Sequence, residues 1–111
     1  MGTDAVTMIT VDVEIPKQVY LEAQRAAKAN GEDMATVGRQ IMRETIRRPD
    51  SKELRELPPT ERPRGTEKRP YRFEMPDEQY ELAKMAIHRH GKSVAGWIEH
   101  KLRHLARTGA L

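Results

Sequence analysis

Four histidines are the residues of this chain best suited to bind a metal ion, since the sequence has no cysteine. His100 and His104 are four residues apart, a spacing that places both side chains on one face of a helix. No cysteine and no adjacent aspartate completes a set of ligands for them. His88 and His90 fall at the predicted end of another helix, where the helix dipole favours a positive charge. We therefore expect solvated histidines, no metal site and no cofactor.

Catalytic motifs are absent from the sequence. It has no Gly-rich phosphate-binding loop, no nucleophile motif and no pair of carboxylates placed for a pocket. A chain of 111 residues is also too small to enclose a deep cleft easily. We therefore expect a binding protein and not an enzyme. The first residues do not resemble a signal peptide and no stretch is long enough to span a membrane, so we expect a cytoplasmic protein with no membrane partner.

The chain repeats itself after 60 residues. Val11–Pro16 aligns with Tyr71–Pro76, and nine identical pairs fall within residues 10–47 without a gap. These pairs include Tyr20 with Tyr80 and Gly31 with Gly91, and most other pairs keep their chemical character. Such self-similarity indicates one structural unit used twice.

Each copy of the repeat begins with an alternation of apolar and polar residues, which is typical of a half-buried strand. In the first copy this pattern covers Thr7–Ile15, with Ile9 and Val11 facing one way and Thr10 and Asp12 the other. In the second copy, the apolar row holds the residues Tyr71, Phe73 and Met75. A lone strand leaves its backbone groups unpaired, so we expect the two strands to pair antiparallel with four helices behind them.

Two helices follow each strand. Pro16 precedes a predicted helix over Lys17–Asn30, and Gly31 supplies its left-handed cap. Asp33 caps a second helix that ends near Arg47. In the second copy, the predicted helices run from Pro76 and Asp77 to His90, before Gly91, and from Val94 to Arg107, after the cap residue Ser93.

The region between the copies is rich in proline and charge, which predicts a linker over residues 49–68 in which Leu54 and Leu57 pack loosely. The predicted organisation is a first repeat over residues 7–48 and a second over 69–108, after a disordered leader of six residues. Residues 69–111 hold eight basic and five acidic groups, and so carry the whole net charge of +3. Such an excess favours a polyanionic partner.

The order strand, Pro, helix, Gly, helix resembles the ribbon-helix-helix (Arc/MetJ-like) family of bacterial, plasmid and phage DNA-binding proteins. The most specific segment is Gly91–Ile98, which is similar to the inter-helix turn Gly-basic-Ser-Val-x-x-x-Ile of that family. Two copies in one chain resemble the TraY-type regulators of conjugative plasmids. The resemblance implies a mostly helical fold, with two β-α-α repeats that form an intramolecular pseudo-dimer around a two-stranded antiparallel ribbon.

The resemblance also implies a function, namely sequence-specific transcriptional, plasmid or phage regulation with the ribbon in the major groove of double-stranded DNA. It implies a pseudo-dimer that is monomeric or assembles further on DNA. The base-facing positions that correspond to the family pattern are Thr10, Asp12, Glu14, Pro70, Arg72 and Glu74. Phosphate contacts correspond to Lys92 and Ser93 at the start of the last helix, near Glu32 and Asp33 in the first copy, and in the arm at Arg62, Arg64, Lys68 and Arg69.

The ribbon of this chain departs from the family pattern because three of its six outward positions are carboxylates. Carboxylates can accept from cytosine N4, but they are costly beside phosphates unless they are paired. Arg72 is expected to lie near Asp12 or Glu14 across the ribbon and to neutralise one of them. An alternative function follows from this acidity: a scaffold that has lost DNA binding and acts as a protein-interaction or inhibitor module.

Overall fold

A computed structural model describes residues 6–59 and 66–111. This part of the chain contains five helices and one two-stranded antiparallel sheet. The elements in chain order are β1 (Met8–Pro16), α1 (Lys17–Ala29), α2 (Met34–Arg47), α3 (Lys52–Arg55), β2 (Lys68–Pro76), α4 (Asp77–Arg89) and α5 (Val94–Thr108). The first five residues of the predicted leader, and Arg62 and Arg64 of the predicted arm, lie outside the described residues.

The alternation in the two strands separates a buried face from an exposed one, as the sequence predicts. Val11 and Ile15 of β1 and Tyr71 and Phe73 of β2 are buried, and the residues between them are exposed or only partly buried. The strands pair antiparallel with Asp12 opposite Arg72. These two residues are 60 positions apart and are therefore equivalent in the sequence repeat. As a result, the two members of any other equivalent pair in the strands lie equally far from this central pair, towards opposite ends of the ribbon.

The helix ends have the local signals expected from the sequence. The Asp33 carboxylate accepts a hydrogen bond from the backbone N–H of Thr36 at 2.7 Å, and the Ser93 hydroxyl accepts one from Gly96 at 3.0 Å. Side-chain acceptors of this kind satisfy backbone donors that a helix start leaves unpaired. Gly91 has a positive φ of 73°, which suits glycine because it has no side chain to clash in this conformation.

The core is built between the two halves of the chain and not within each of them. Helix α1 packs chiefly against α5, and α2 packs chiefly against α4, behind the sheet. The hydroxyl of the buried Tyr71 donates a hydrogen bond to the carbonyl of Met34, which joins β2 to the start of α2. Burial raises the pKa of Tyr71, so this side chain remains a neutral donor.

Two kinds of hydrogen bond recur at positions 60 residues apart. The backbone N–H of Lys17 donates to the Glu67 carbonyl, and that of Asp77 donates to the Thr7 carbonyl, both at 2.8 Å. The Asn30 amide donates to the Gly109 carbonyl at 2.7 Å. The equivalent pair in the other half is formed by His90 Nε2 and the Pro49 carbonyl at 3.0 Å.

The segment between the halves packs more tightly than the sequence suggests. It includes the short helix α3, capped by Ser51, and it buries Leu54 and Leu57 to 0% and 7% exposure. The expectation of loose packing for these two leucines is therefore wrong. The segment is held against the second half, where Lys92 donates to the Leu57 carbonyl and Lys101 contacts Glu53, and its own composition does not reveal these contacts. No helix in the described residues combines the length and apolar character needed to cross a membrane.

Candidate functional site

The outward face of the ribbon brings the predicted base-facing residues together in two neighbouring rows. None of them is buried, and the pleat of each strand aims them away from the helices. Across the ribbon, Thr10 lies opposite Glu74 and Glu14 lies opposite Pro70. The outward face of the two strands consists of Met8, Thr10, Asp12, Glu14, Lys68, Pro70, Arg72 and Glu74.

An ion pair lies at the middle of this face. The Nε atom of Arg72 is 2.9 Å from Oδ2 of Asp12, so Arg72 neutralises Asp12, one of the two carboxylates expected to lie near it. The register explains the choice, because Asp12 is directly opposite Arg72 and Glu14 is not. Both side chains are well exposed, so this pair stabilises the fold by at most about 1 kcal/mol and is easily exchanged for another partner.

The face as a whole has a slight excess of negative charge. Its two strands present three carboxylates and two cations, and Glu14 and Glu74 lie opposite residues without positive charge. The carbonyl oxygen of Glu74 accepts a hydrogen bond from Arg39 of α2 at 3.3 Å. Arg39 therefore brings a cation to this end of the ribbon. Arg39 could not be identified from the sequence, since the equivalent position of the second half is Glu99 and no repeated signal marks it.

The residues expected to contact phosphate differ in their surroundings. Lys68 is exposed at the beginning of β2, on the outward row. Arg69 belongs to the inward row, and its guanidinium lies 3.8 Å from the centre of the Tyr20 ring. Its Nε is buried and has no hydrogen-bond partner in residues 6–59 and 66–111. Stacking on an aromatic face is a common environment for arginine.

Lys92 and Ser93 are at the start of α5, where the resemblance requires them. The Ser93 side chain is used as the helix cap, and Lys92 Nζ donates to the carbonyl of Leu57 at 2.9 Å. Lys92 therefore also fastens the segment between the halves. At the start of α2, the hydrogen bond from Thr36 lowers the pKa of Asp33, which keeps a negative charge there.

The histidines lie on other parts of the surface. His100 Nε2 is 3.0 Å from Glu53 Oε1, and Lys101 Nζ is 3.2 Å from the other oxygen of the same carboxylate. Burial alone would raise the pKa of Glu53, but the hydrogen bonds and charges of Lys101 and His100 outweigh it and lower that pKa. Within the described part of the chain, no three His, Asp or Glu residues are grouped so that they could hold a metal ion.

A cleft of about 490 Å³ opens between α2 and α5. The buried Trp97 lies at its base and donates from Nε1 to the Thr45 hydroxyl at 2.9 Å. The hydroxyl of Thr45 in turn donates to the Ile41 carbonyl at 2.7 Å. Trp97 is thus a core residue.

Comparison of the chain with protein-family models, with curated proteins and with solved structures finds no match.

Proposed function

We propose that the chain is a tandem ribbon-helix-helix protein in which the two halves form an intramolecular pseudo-dimer. The strand register supports this reading, because a two-fold axis through a ribbon must pass between equivalent residues, and Asp12 and Arg72 are such residues. The hydrogen bonds that recur 60 residues apart support it as well. So does the packing of each half's helices against those of the other half.

On this basis we propose that the protein binds double-stranded DNA in a sequence-specific way and regulates transcription or plasmid or phage functions. The observation that carries the proposal is the accessible two-stranded ribbon, with a complete row of outward side chains on each strand. A two-stranded ribbon fits the width of the major groove. Such a regulator would act in the cytoplasm and would need no catalytic residues.

The proposed contacts divide into base and phosphate contacts. Among the outward side chains of the two strands, Arg72 is the one arginine, and its guanidinium can donate two hydrogen bonds to guanine. To do so, it exchanges the exposed carboxylate of Asp12 for the base, at a small cost. Lys68 and the start of α5, at Lys92 and Ser93, would bind phosphates, since helix N-termini favour anions. Because the two strands differ in sequence, the DNA site need not be palindromic.

The test is a binding titration with random duplex and with a duplex selected from a random pool, at several salt concentrations. Arg72→Ala is expected to cost about 1–3 kcal/mol on the selected site and to relax preference at one position. Lys92→Ala is expected to weaken all duplexes alike and to reduce the salt slope by about one unit. Arg107→Ala, near the exposed end of α5, is the control and should change neither.

Because Lys92 also contacts Leu57, the melting temperature of each variant must be measured alongside. Tight binding to a selected site that survives Arg72→Ala and Lys92→Ala together would show that these contacts are wrong. Absence of a salt-dependent affinity for any duplex at moderate salt would show that DNA binding itself is wrong.

A second candidate function is favoured by the acidity of the ribbon. With Arg72 paired to Asp12, the carboxylates of Glu14 and Glu74 remain to attract a basic protein. In this alternative the ribbon-helix-helix scaffold acts as a protein-interaction or inhibitor module. Charge reversal at Glu14 and Glu74 would then abolish capture of a basic partner. The chain would have no measurable affinity for DNA, so Arg72→Ala would change nothing in a DNA titration.

A further inference from the structure

One face of α4 is exposed along the whole length of the helix. At its centre are Leu82 and Met85, which are 54% and 65% exposed. Acidic residues precede them and basic residues follow them on the same face, at the three- and four-residue spacings that align side chains on a helix. We refer to this face as the α4 stripe, and it consists of Glu78, Glu81, Leu82, Met85, His88 and Arg89.

The fold does not require apolar side chains at these positions. In α1, the equivalent helix of the first half, the residues 60 positions earlier are Glu22 and Arg25. Both of these are charged, as is usual for the outer face of a surface helix. Leu82 and Met85 are therefore a feature of the second half alone, and large apolar side chains grouped on a surface mark an interaction site.

We propose that the α4 stripe binds a second copy of this chain, with the two α4 helices antiparallel. Charge complementarity selects this occupant. In an antiparallel pair centred between Leu82 and Met85, the Leu82 of each copy meets the Met85 of the other. Glu78 of each copy then faces Arg89 of the other, so the acidic end of each stripe meets a basic end. A parallel pair would instead bring like charges together.

The ion pairs that these residues form within one chain compete only weakly with contacts between two copies. Arg89 is 3.0 Å from Asp50, and Glu81 is 2.9 Å from Lys84, and all four side chains are partly or largely exposed. Exposed ion pairs contribute little free energy, so Arg89 can bind the Glu78 carboxylate of another copy. A self-complementary contact about a two-fold axis closes after two copies. The stripe is small, so we expect a weak dimer of the transient kind.

Sedimentation velocity over about 10 µM to 1 mM protein tests the dimer, because this range spans the dissociation constants of weak complexes. The full chain is expected to sediment faster as its concentration rises. Met85→Glu should raise the dissociation constant about tenfold or more. Arg25→Glu, at the equivalent position of α1, is the matched control and should leave it unchanged. Circular dichroism checks that both variants remain folded.

A mixing experiment tests the antiparallel arrangement. Glu78→Arg and Arg89→Glu should each weaken the dimer, because each variant places like charges opposite one another twice. An equimolar mixture of the two variants should restore it, because the charges of the mixed dimer are again complementary at both ends. A wild-type chain that stays monomeric throughout, or a dimer that survives Met85→Glu, would overturn the proposal and leave the stripe to a different partner. Neither result depends on whether the ribbon binds DNA.

Discussion

In the second half of the chain, the ring of Phe73 in β2 lies where a side chain on Gly38 of α2 would begin. A Cβ atom added to Gly38 would be 2.5–2.8 Å from three atoms of that ring. The residues 60 positions away from these two are Val13 and Ile98, a smaller strand residue and a larger helix residue. In the first pair the larger side chain is on the strand, and in the equivalent pair it is on the helix.

A similar exchange occurs where α2 and α5 meet. Trp97 of α5 donates a hydrogen bond to Thr45 of α2. The residues equivalent to these are Val37 and Leu105, which are both buried and apolar. The halves share their backbone plan but not their packing, and in both places a change in one half is matched in the other. They have therefore become complementary parts of one core and are not interchangeable copies.

Of the changes that test this complementarity, separation of the halves should have the largest effect on folding. A cut between Pro58 and Pro59 leaves β1 and β2 without their partner strands and exposes the faces that α1 and α4 bury. Each fragment alone should lack a cooperative unfolding transition or form a homodimer, and the mixture should regain native helicity by circular dichroism. The idea of a shared core fails if residues 59–111 alone are monomeric with full native helicity.

Gly38→Ala should destabilise the protein by about 1–3 kcal/mol in spite of the better helix propensity of alanine. The reason is that the added Cβ atom would lie within 2.8 Å of the buried Phe73 ring, so either the ring or the helix must shift. Denaturant unfolding measures the change. In a Phe73→Val background, which imitates Val13, the same substitution should become neutral or stabilise by up to about 1 kcal/mol.

The change in stability caused by Gly38→Ala should therefore differ in sign or vanish between the two backgrounds. If Gly38→Ala stabilised the chain with Phe73 intact, the close approach of helix and ring would not be the reason for the glycine.

Thr45→Val should cost about 1–2 kcal/mol, because it keeps the shape of the side chain but leaves the buried Nε1–H of Trp97 without its acceptor. Trp97 is the only tryptophan of the chain, so its fluorescence follows unfolding directly. Thr10→Val on the outward ribbon face is the control and should change little. In a Trp97→Phe background, unfolding is followed by circular dichroism because no tryptophan remains, and Thr45→Val should lose most of its effect. A full penalty there would exclude this hydrogen bond as the cause.

The smallest effect concerns α3, which belongs to neither copy of the repeat and packs against the second half. The lowered pKa of Glu53 means that its contribution is present above the ordinary value of 4.5 and is lost as the pH falls through the folded-state value. Glu53→Gln should reduce stability at pH 7 by less than about 1 kcal/mol, since the carboxylate is 40% exposed. That difference should shrink between about pH 5 and pH 3.

Glu56→Gln, a neighbouring exposed carboxylate, serves as the control in the same denaturation series. A wild-type and a Glu53→Gln protein that differ by the same amount at pH 3 and at pH 7 would contradict the ionic role of Glu53.

The elements of the fold could be predicted from the sequence because their causes are local. Alternating apolar residues identify β1 and β2, and Asp33 and Ser93 identify the starts of α2 and α5. These signals depend on backbone hydrogen bonds and side-chain periodicity within a few residues. The outward rows of the ribbon followed from the same periodicity, so the outward positions of the candidate site were predicted as well.

The contacts between distant residues were decided only by the tertiary structure. The strand register pairs Arg72 with Asp12 and not with Glu14, and Leu54 and Leu57 are buried although they lie in the segment between the halves. Arg69 lies on Tyr20, and Gly38 makes room for Phe73. Each of these depends on which surfaces meet and how their volumes fit, and residues far apart in sequence carry no local sign of it. The sequence by itself determined where the strands and helices are, while packing determined which side chains remain free to act.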